Sequence, residues 1–75
     1  MRYTLRQLEI FVATARQENL GRAAASLSLS QSAASGALAE LERQFELQLF
    51  DRIGKRLQLN ESGRRLLPAA EELLV

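Results

Sequence analysis

The chain has no cysteine and no histidine. Without cysteine there are no disulfides and no thiolate metal sites. Without histidine, the commonest metal ligand and the commonest general acid–base group are both gone. The carboxylates are scattered over what read as helix surfaces, so no nucleophile–base pair stands out. The chain therefore reads as a non-enzyme, with no cofactor and no metal in this domain. No apolar run approaches the ~18 residues of a membrane span, and nothing resembles a signal peptide. The expected compartment is the cytoplasm, with no membrane partner. Excess charge of one sign is missing too, since the formal net charge is +1. Seventy-five residues make one domain, and a chain this short buries only ~60% of its unfolded surface, which leaves its stability marginal.

What the chain does have is a stretch from Leu20 to Leu41, LGRAAASLSLSQSAASGALAEL, around which the rest is organised. It reads as two short helices joined by a tight polar turn. Leu20 through Ser26 is Ala-rich, with Asn19 as its N-cap and Ala23, Ala24 and Leu27 as packing positions. Leu27-Ser28-Leu29-Ser30 is the turn, with Leu29 tucked inward and Ser30 capping the next helix. In that helix Ala34, Leu38, Leu41 and Phe45 recur at spacings of four, three and four, the buried stripe of an amphipathic helix. Gln31, Ser32, Ser35, Gly36 and Ala39 fall on the other side. A solvent-facing helix would carry charges there, whereas a small neutral face suits close approach to base edges. Gln can bond adenine through two atoms, Ser several bases, and an Ala methyl can meet thymine. The pattern is that of a helix-turn-helix, whose second helix enters a DNA major groove. Arg22, in the first turn of the preceding helix, is placed to reach a phosphate.

The flanking segments agree. Thr4 to Gln17 is a first helix, opened by a Thr4/Gln7 capping box and a Tyr3/Leu8 hydrophobic staple. Leu5, Leu8, Phe11, Val12 and Ala15 form its apolar stripe. After the third helix the period changes to two, at Leu47 and Leu49 and again at Leu57 and Leu59, which predicts two short strands. Between them Asp51-Arg52-Ile53-Gly54-Lys55-Arg56 is a basic turn, so the pair reads as a wing with a cationic tip, suited to the phosphate backbone or the minor groove.

Asn60 caps a last helix that runs to the end of the chain. Leu66, Ala70 and Leu73 share one of its faces, and Leu67 and Leu74, one heptad apart, form another. One face can complete the core. The other needs a partner, most simply the same helix from a second subunit. Pro68 is expected to kink this helix. No Gly, Asn or basic cap closes it before Val75, which predicts that it continues into a longer protein. The fold class is mainly α: a winged helix-turn-helix of three helices plus a two-stranded wing over 1–59, then the start of a long linker helix over 60–75.

The segments LRQLEIFVATA, NLGRAAASLSLSQSAAS, LAELERQFELQLFDR and LNESGRRLLPAAEELL together resemble the N-terminal DNA-binding domain of LysR-type transcriptional regulators, over nearly the whole chain. That resemblance implies a bacterial regulator that binds double-stranded promoter DNA as a homodimer, or as a tetramer in the full-length protein. It also implies a linker helix that pairs two subunits, and an effector-sensing C-terminal domain, absent here, that takes a small molecule. By the same resemblance Gln31, Ser32, Ala33, Ser35 and Gly36 enter the major groove. Lys55 and Arg56 form the wing tip, and Arg52 is a backbone or structural contact. Three positions depart from the family pattern. Ser32 stands where Pro is usual, and Gly36 where a long basic or polar side chain is common. Glu46 stands where Gly often ends the third helix, and since Glu fits a left-handed cap poorly, a reshaped helix end is expected. A helical protein-interaction module is the competing reading, because fold does not fix function and the total charge is nearly neutral.

Overall fold

The computed structural model describes residues 3–74. Its elements are α1 (Leu5–Gln17), α2 (Leu20–Ser26), α3 (Gln31–Phe45), β1 (Phe50–Ile53), β2 (Arg56–Leu59) and α4 (Glu61–Leu73). Each helix begins where a side chain satisfies backbone N–H groups that have no helical partner. Thr4 Oγ1 accepts from the Gln7 N–H at 3.1 Å, and Gln7 Oε1 accepts from the Thr4 N–H at 3.0 Å. Asn19 Oδ1 accepts from Arg22 N at 2.8 Å, Ser30 Oγ from Ala33 N at 3.1 Å, and Asn60 Oδ1 from Gly63 N at 2.8 Å.

α1 is the central element, packed against α2, α3, α4 and β2. It therefore buries more than one stripe. Leu8, Ile10, Phe11 and Val12 are all buried, and so is Thr14, whose hydroxyl donates to the Ile10 carbonyl at 2.7 Å and so enters the interior without an unpaired polar group. Periodicity places Leu5 in the stripe and leaves Ile10 and Thr14 out. Instead Leu5 lies exposed in the first turn, beyond the elements that cover the rest of the helix. Tyr3 stacks its ring on Phe45 at the end of α3, with centroids 6.0 Å apart.

α3 closes with Glu46 in the left-handed region (φ 56°, ψ 35°), while Glu46 N bonds the Arg43 carbonyl and Leu47 N bonds the Glu42 carbonyl, each at 3.1 Å. This is a Schellman closure. The reshaped end expected from a glutamate at position 46 does not occur. The two cap hydrogen bonds hold the backbone in a conformation that costs a residue with a Cβ about 1–2 kcal/mol.

Where alternation predicts a strand from Leu47, β1 starts only at Phe50. Leu47 is half exposed on the way out of the cap, and Leu49 is buried. The Leu49 carbonyl still accepts from Asn60 N at 3.0 Å, in register with the hairpin, but its N–H is taken by Glu42 Oε2 at 2.8 Å, so the ladder is half broken there and the strand begins one residue later. Asp51 to Ile53 and Arg56 are strand rather than turn. The register pairs Phe50 with Leu59, Asp51 with Gln58, Arg52 with Leu57 and Ile53 with Arg56. Only Gly54 and Lys55 remain as loop. Gly54 has φ +62°, the sign a two-residue hairpin loop requires at its first position.

α4 runs on through Pro68. Ala70 is wholly buried in the core, and Leu66, Leu67 and Leu74 pack against it. Arg16 and Glu71 form an exposed ion pair at 3.2 Å between α1 and α4. The expected continuation through Val75 lies outside the described residues.

Candidate nucleic-acid interface

Small residues set the spacing of α2 and α3. Ala23, Ala24 and Ala34 are buried, so the two helices meet with little side chain between them. Leu27 and Leu29 pack the connecting turn onto the core. At Ser28 the backbone turns left-handed (φ 58°), and the Leu29 N–H returns to the Ala24 carbonyl at 2.8 Å. This arrangement presents the first two turns of α3 outward. Gln31, Ser32, Ala33, Ser35, Gly36 and Ala39 are all exposed. None carries a charge.

Two further contacts tie this face to its surroundings. Gln31 folds its carboxamide against the start of α2, where its Oε1 lies 3.2 Å from the position a Cβ on Gly21 would take. That places Gln31 next to the turn bearing Arg22, which is itself exposed. On the opposite flank, Ser35 and Ala39 of α3 line one open cleft together with Arg52 of β1. The structure thus brings α3, Arg22 and the hairpin to one side of the domain.

Gly36 lies in mid-helix, and a Cβ there would meet nothing within 4 Å. Neither φ nor packing demands glycine. Gly36→Ala is expected to stabilise the fold by about 1 kcal/mol, the helix-propensity difference, as read from the urea midpoint.

Two acids of α3 are engaged in hydrogen bonds, one of them, Glu42, on the wall of the cleft that Ser35, Ala39 and Arg52 line. Glu40 accepts from the Arg43 guanidinium, with the Nε contact at 3.0 Å, and from Gln44 Nε2 at 3.1 Å. These hydrogen bonds, Arg43 first, hold its carboxyl well below the usual carboxylate range, at about 2. Glu42 is occupied by the Leu49 N–H. Among the described residues Arg22, Arg52 and Lys55 form no ion pair, whereas Arg56 pairs with Glu18. The sequence reading missed Glu18. It caps α1 in the left-handed region (φ 53°), a site where glycine is usual and where a carboxylate faces the negative end of the helix. Those two local misfits were the available signal.

The residues read as dimerising fare differently. Ala70 has no exposed surface and is not available to a second subunit. Its small side chain is what lets α4 lie close on α1. Leu66, Leu67 and Leu74 are partly buried against the core of this same chain. Leu73 is 52% exposed and is the one large residue of that set facing outward. Periodicity alone does not distinguish the face a helix spends on its own core from the face it offers.

A family model described as bacterial regulatory helix-turn-helix protein, lysR family, matches residues 5–64. The chain is 53% identical over 74 residues to the uncharacterized HTH-type transcriptional regulator YeiE of Escherichia coli, covering 99% of this chain and 25% of that protein. Corynebacterium glutamicum OxyR in its oxidized form superposes with a TM-score of 0.94 at 39% identity, over 99% of this chain and 23% of that one. The DNA-binding domain of CbnR in complex with DNA superposes with a TM-score of 0.90 at 30% identity, over 95% of this chain and 82% of that one. The chain spans about a quarter of the length of the curated relative it matches at 53% identity.

Proposed function

Because the chain belongs to the LysR family of bacterial regulatory helix-turn-helix proteins, we propose that it is the sequence-reading DNA-binding domain of a transcriptional regulator. The observation that carries this reading is the uncharged, exposed face at the start of α3, flanked by cations of α2 and the hairpin that form no ion pair among the described residues. In it, Gln31, Ser32, Ala33, Ser35 and Gly36 lie in the major groove, where short side chains let the helix approach base edges. Arg22, Arg52 and Lys55 contact phosphates, which fix orientation without reading sequence. Residues 1–59 form the reading unit. Residues 60–75 begin a helix that pairs two subunits, with Leu73 the outward anchor and Leu66, Leu67 and Leu74 contributing their exposed edges. Two half-sites on one operator are then bound by one homodimer, with assembly to a tetramer in the full-length protein.

The site of action is the bacterial nucleoid in the cytoplasm. This domain works without metal or cofactor, and a small-molecule effector is sensed by a part of the protein beyond this chain. The role is non-enzymatic, in line with relatives that are transcriptional regulators.

Gln31 gives the direct test. Its carboxamide can bond adenine through both polar atoms, and such a pair is worth about 1–3 kcal/mol of discrimination. Gln31→Ala is expected to weaken binding to an operator selected from randomised duplexes by that amount, while binding to random duplex stays nearly constant. Equal losses on both would count against base reading by this residue.

A further inference from the structure

We propose that Glu18 is a positioning residue for the wing: it seats the hairpin on the end of α1 and withholds Arg56 from the nucleic acid, so that Lys55 and Arg52 carry the hairpin's phosphate contacts. This rests on the DNA-binding reading above and assigns the wing's charges within it. Glu18 grips two consecutive residues of β2. Its carbonyl accepts the Leu57 N–H at 3.0 Å, and its Oε1 accepts from Arg56 Nη2. The Glu18 side chain is 32% exposed and that of Arg56 is 63% exposed. Local rules disfavour glutamate here on two counts, the left-handed backbone and the negative helix end. The ion pair with Arg56 offsets the second, whereas the first is held by the cap hydrogen bond from the Glu18 N–H to the Thr14 carbonyl.

The electrostatic consequence is specific. Salt dependence of DNA binding counts the phosphates a protein neutralises, with about 0.9 added to the slope of log K against log salt per contact. A guanidinium in hydrogen-bond contact with a carboxylate forms a pair of no net charge, so a phosphate that approaches it meets attraction and repulsion together and releases fewer counterions. Arg56 is in that condition. Lys55, its neighbour in the loop, forms no ion pair among the described residues.

Glu18→Gln keeps the shape and the backbone bond to Leu57 but removes the charge. We measure binding of the 75-residue chain to a random-sequence duplex by fluorescence anisotropy from 50 to 200 mM salt. The slope is expected to steepen by about 0.9, so that Glu18→Gln loses roughly 3.5-fold more affinity over that range than the parent. Arg56→Ala is expected to leave the parent's slope unchanged but to abolish the gain when combined with Glu18→Gln. Lys55→Ala alone is expected to flatten the slope by about 0.9. An unchanged slope in folded Glu18→Gln overturns the proposal. So does Arg56→Ala flattening the parent's slope as much as Lys55→Ala, a comparison that stands even where Glu18→Gln fails to fold. Absence of any salt-dependent binding by the parent chain overturns the DNA-binding reading itself, and this proposal with it.

Discussion

Gly63→Ala is expected to destabilise the domain by about 3 kcal/mol, at the upper end of the usual cost of overpacking. A Cβ on Gly63 would lie 2.2 Å from the Leu49 carbonyl oxygen and 2.7 Å from Leu59 Cδ2. The first of these neighbours is backbone, so no rotamer change relieves it. Leu49 is also pinned from both sides, its N–H on Glu42 and its carbonyl on Asn60 N. The strain must therefore move α4 as a body away from the strand entry, and this loosens the Asn60 cap. At roughly 4–8 °C per kcal/mol for a domain of this size, the melting midpoint should fall by about 12–24 °C. Gly36→Ala provides the internal control. It is the same chemical change within a helix, made in open space, and the midpoint should move the other way. Equal shifts for the two variants would contradict the close packing of α4 on the Leu49 backbone.

Phe11→Ala is expected to cost about 3–5 kcal/mol. Phe11 is wholly buried and meets Phe50 edge-on, with ring centroids 5.6 Å apart at 61°. It is thus the contact through which α1 holds the start of the hairpin. Truncation removes the largest buried side chain and the favourable edge-to-face pair together, and the surrounding helices cannot close the space fully. At 0.05–0.15 kcal/mol per residue, a chain of this length has roughly 4–11 kcal/mol of stability in all. The loss therefore removes at least roughly a quarter of that stability and, at the low end of that range, all of it. The urea midpoint at 25 °C should fall in proportion. A cooperative transition displaced by less than about 1 kcal/mol would show that Phe11 is not central to the core.

What the sequence made legible was local chemistry. The caps at Thr4, Asn19, Ser30 and Asn60 are short-range hydrogen bonds between a side chain and a backbone group three residues on, so residue type and position suffice to find them. The α3 stripe of Ala34, Leu38 and Leu41 is likewise legible, because one face of that helix is buried and the other bare. Legibility failed wherever a second element decides. Alternation at Leu47 and Leu49 predicts a strand that starts too early, because Leu47 leaves a helix cap and the Leu49 N–H is claimed by Glu42. Glutamates at 18 and 46 adopt a backbone that composition rules assign to glycine, since cap hydrogen bonds hold them there. Gly63 and Ala70 are small because a neighbouring backbone or helix occupies the space beside them, and nothing in α4 itself records that. Of the candidate interface, the exposed face of α3 followed from its pattern. The sorting of the wing cations did not, because Glu18 and Arg56 are 38 positions apart.

The most direct test of the central claim is the affinity of this chain for an operator selected from randomised duplexes, compared with a random duplex of equal length, across a salt series. The account predicts that both affinities fall steeply with salt, the mark of phosphate contacts by Arg22, Arg52 and Lys55. It also predicts that the selected duplex binds tighter at every salt concentration, the mark of base reading by the start of α3. Failure of the folded chain to bind either duplex at low salt would contradict the account and favour a protein-interaction role for the winged helix.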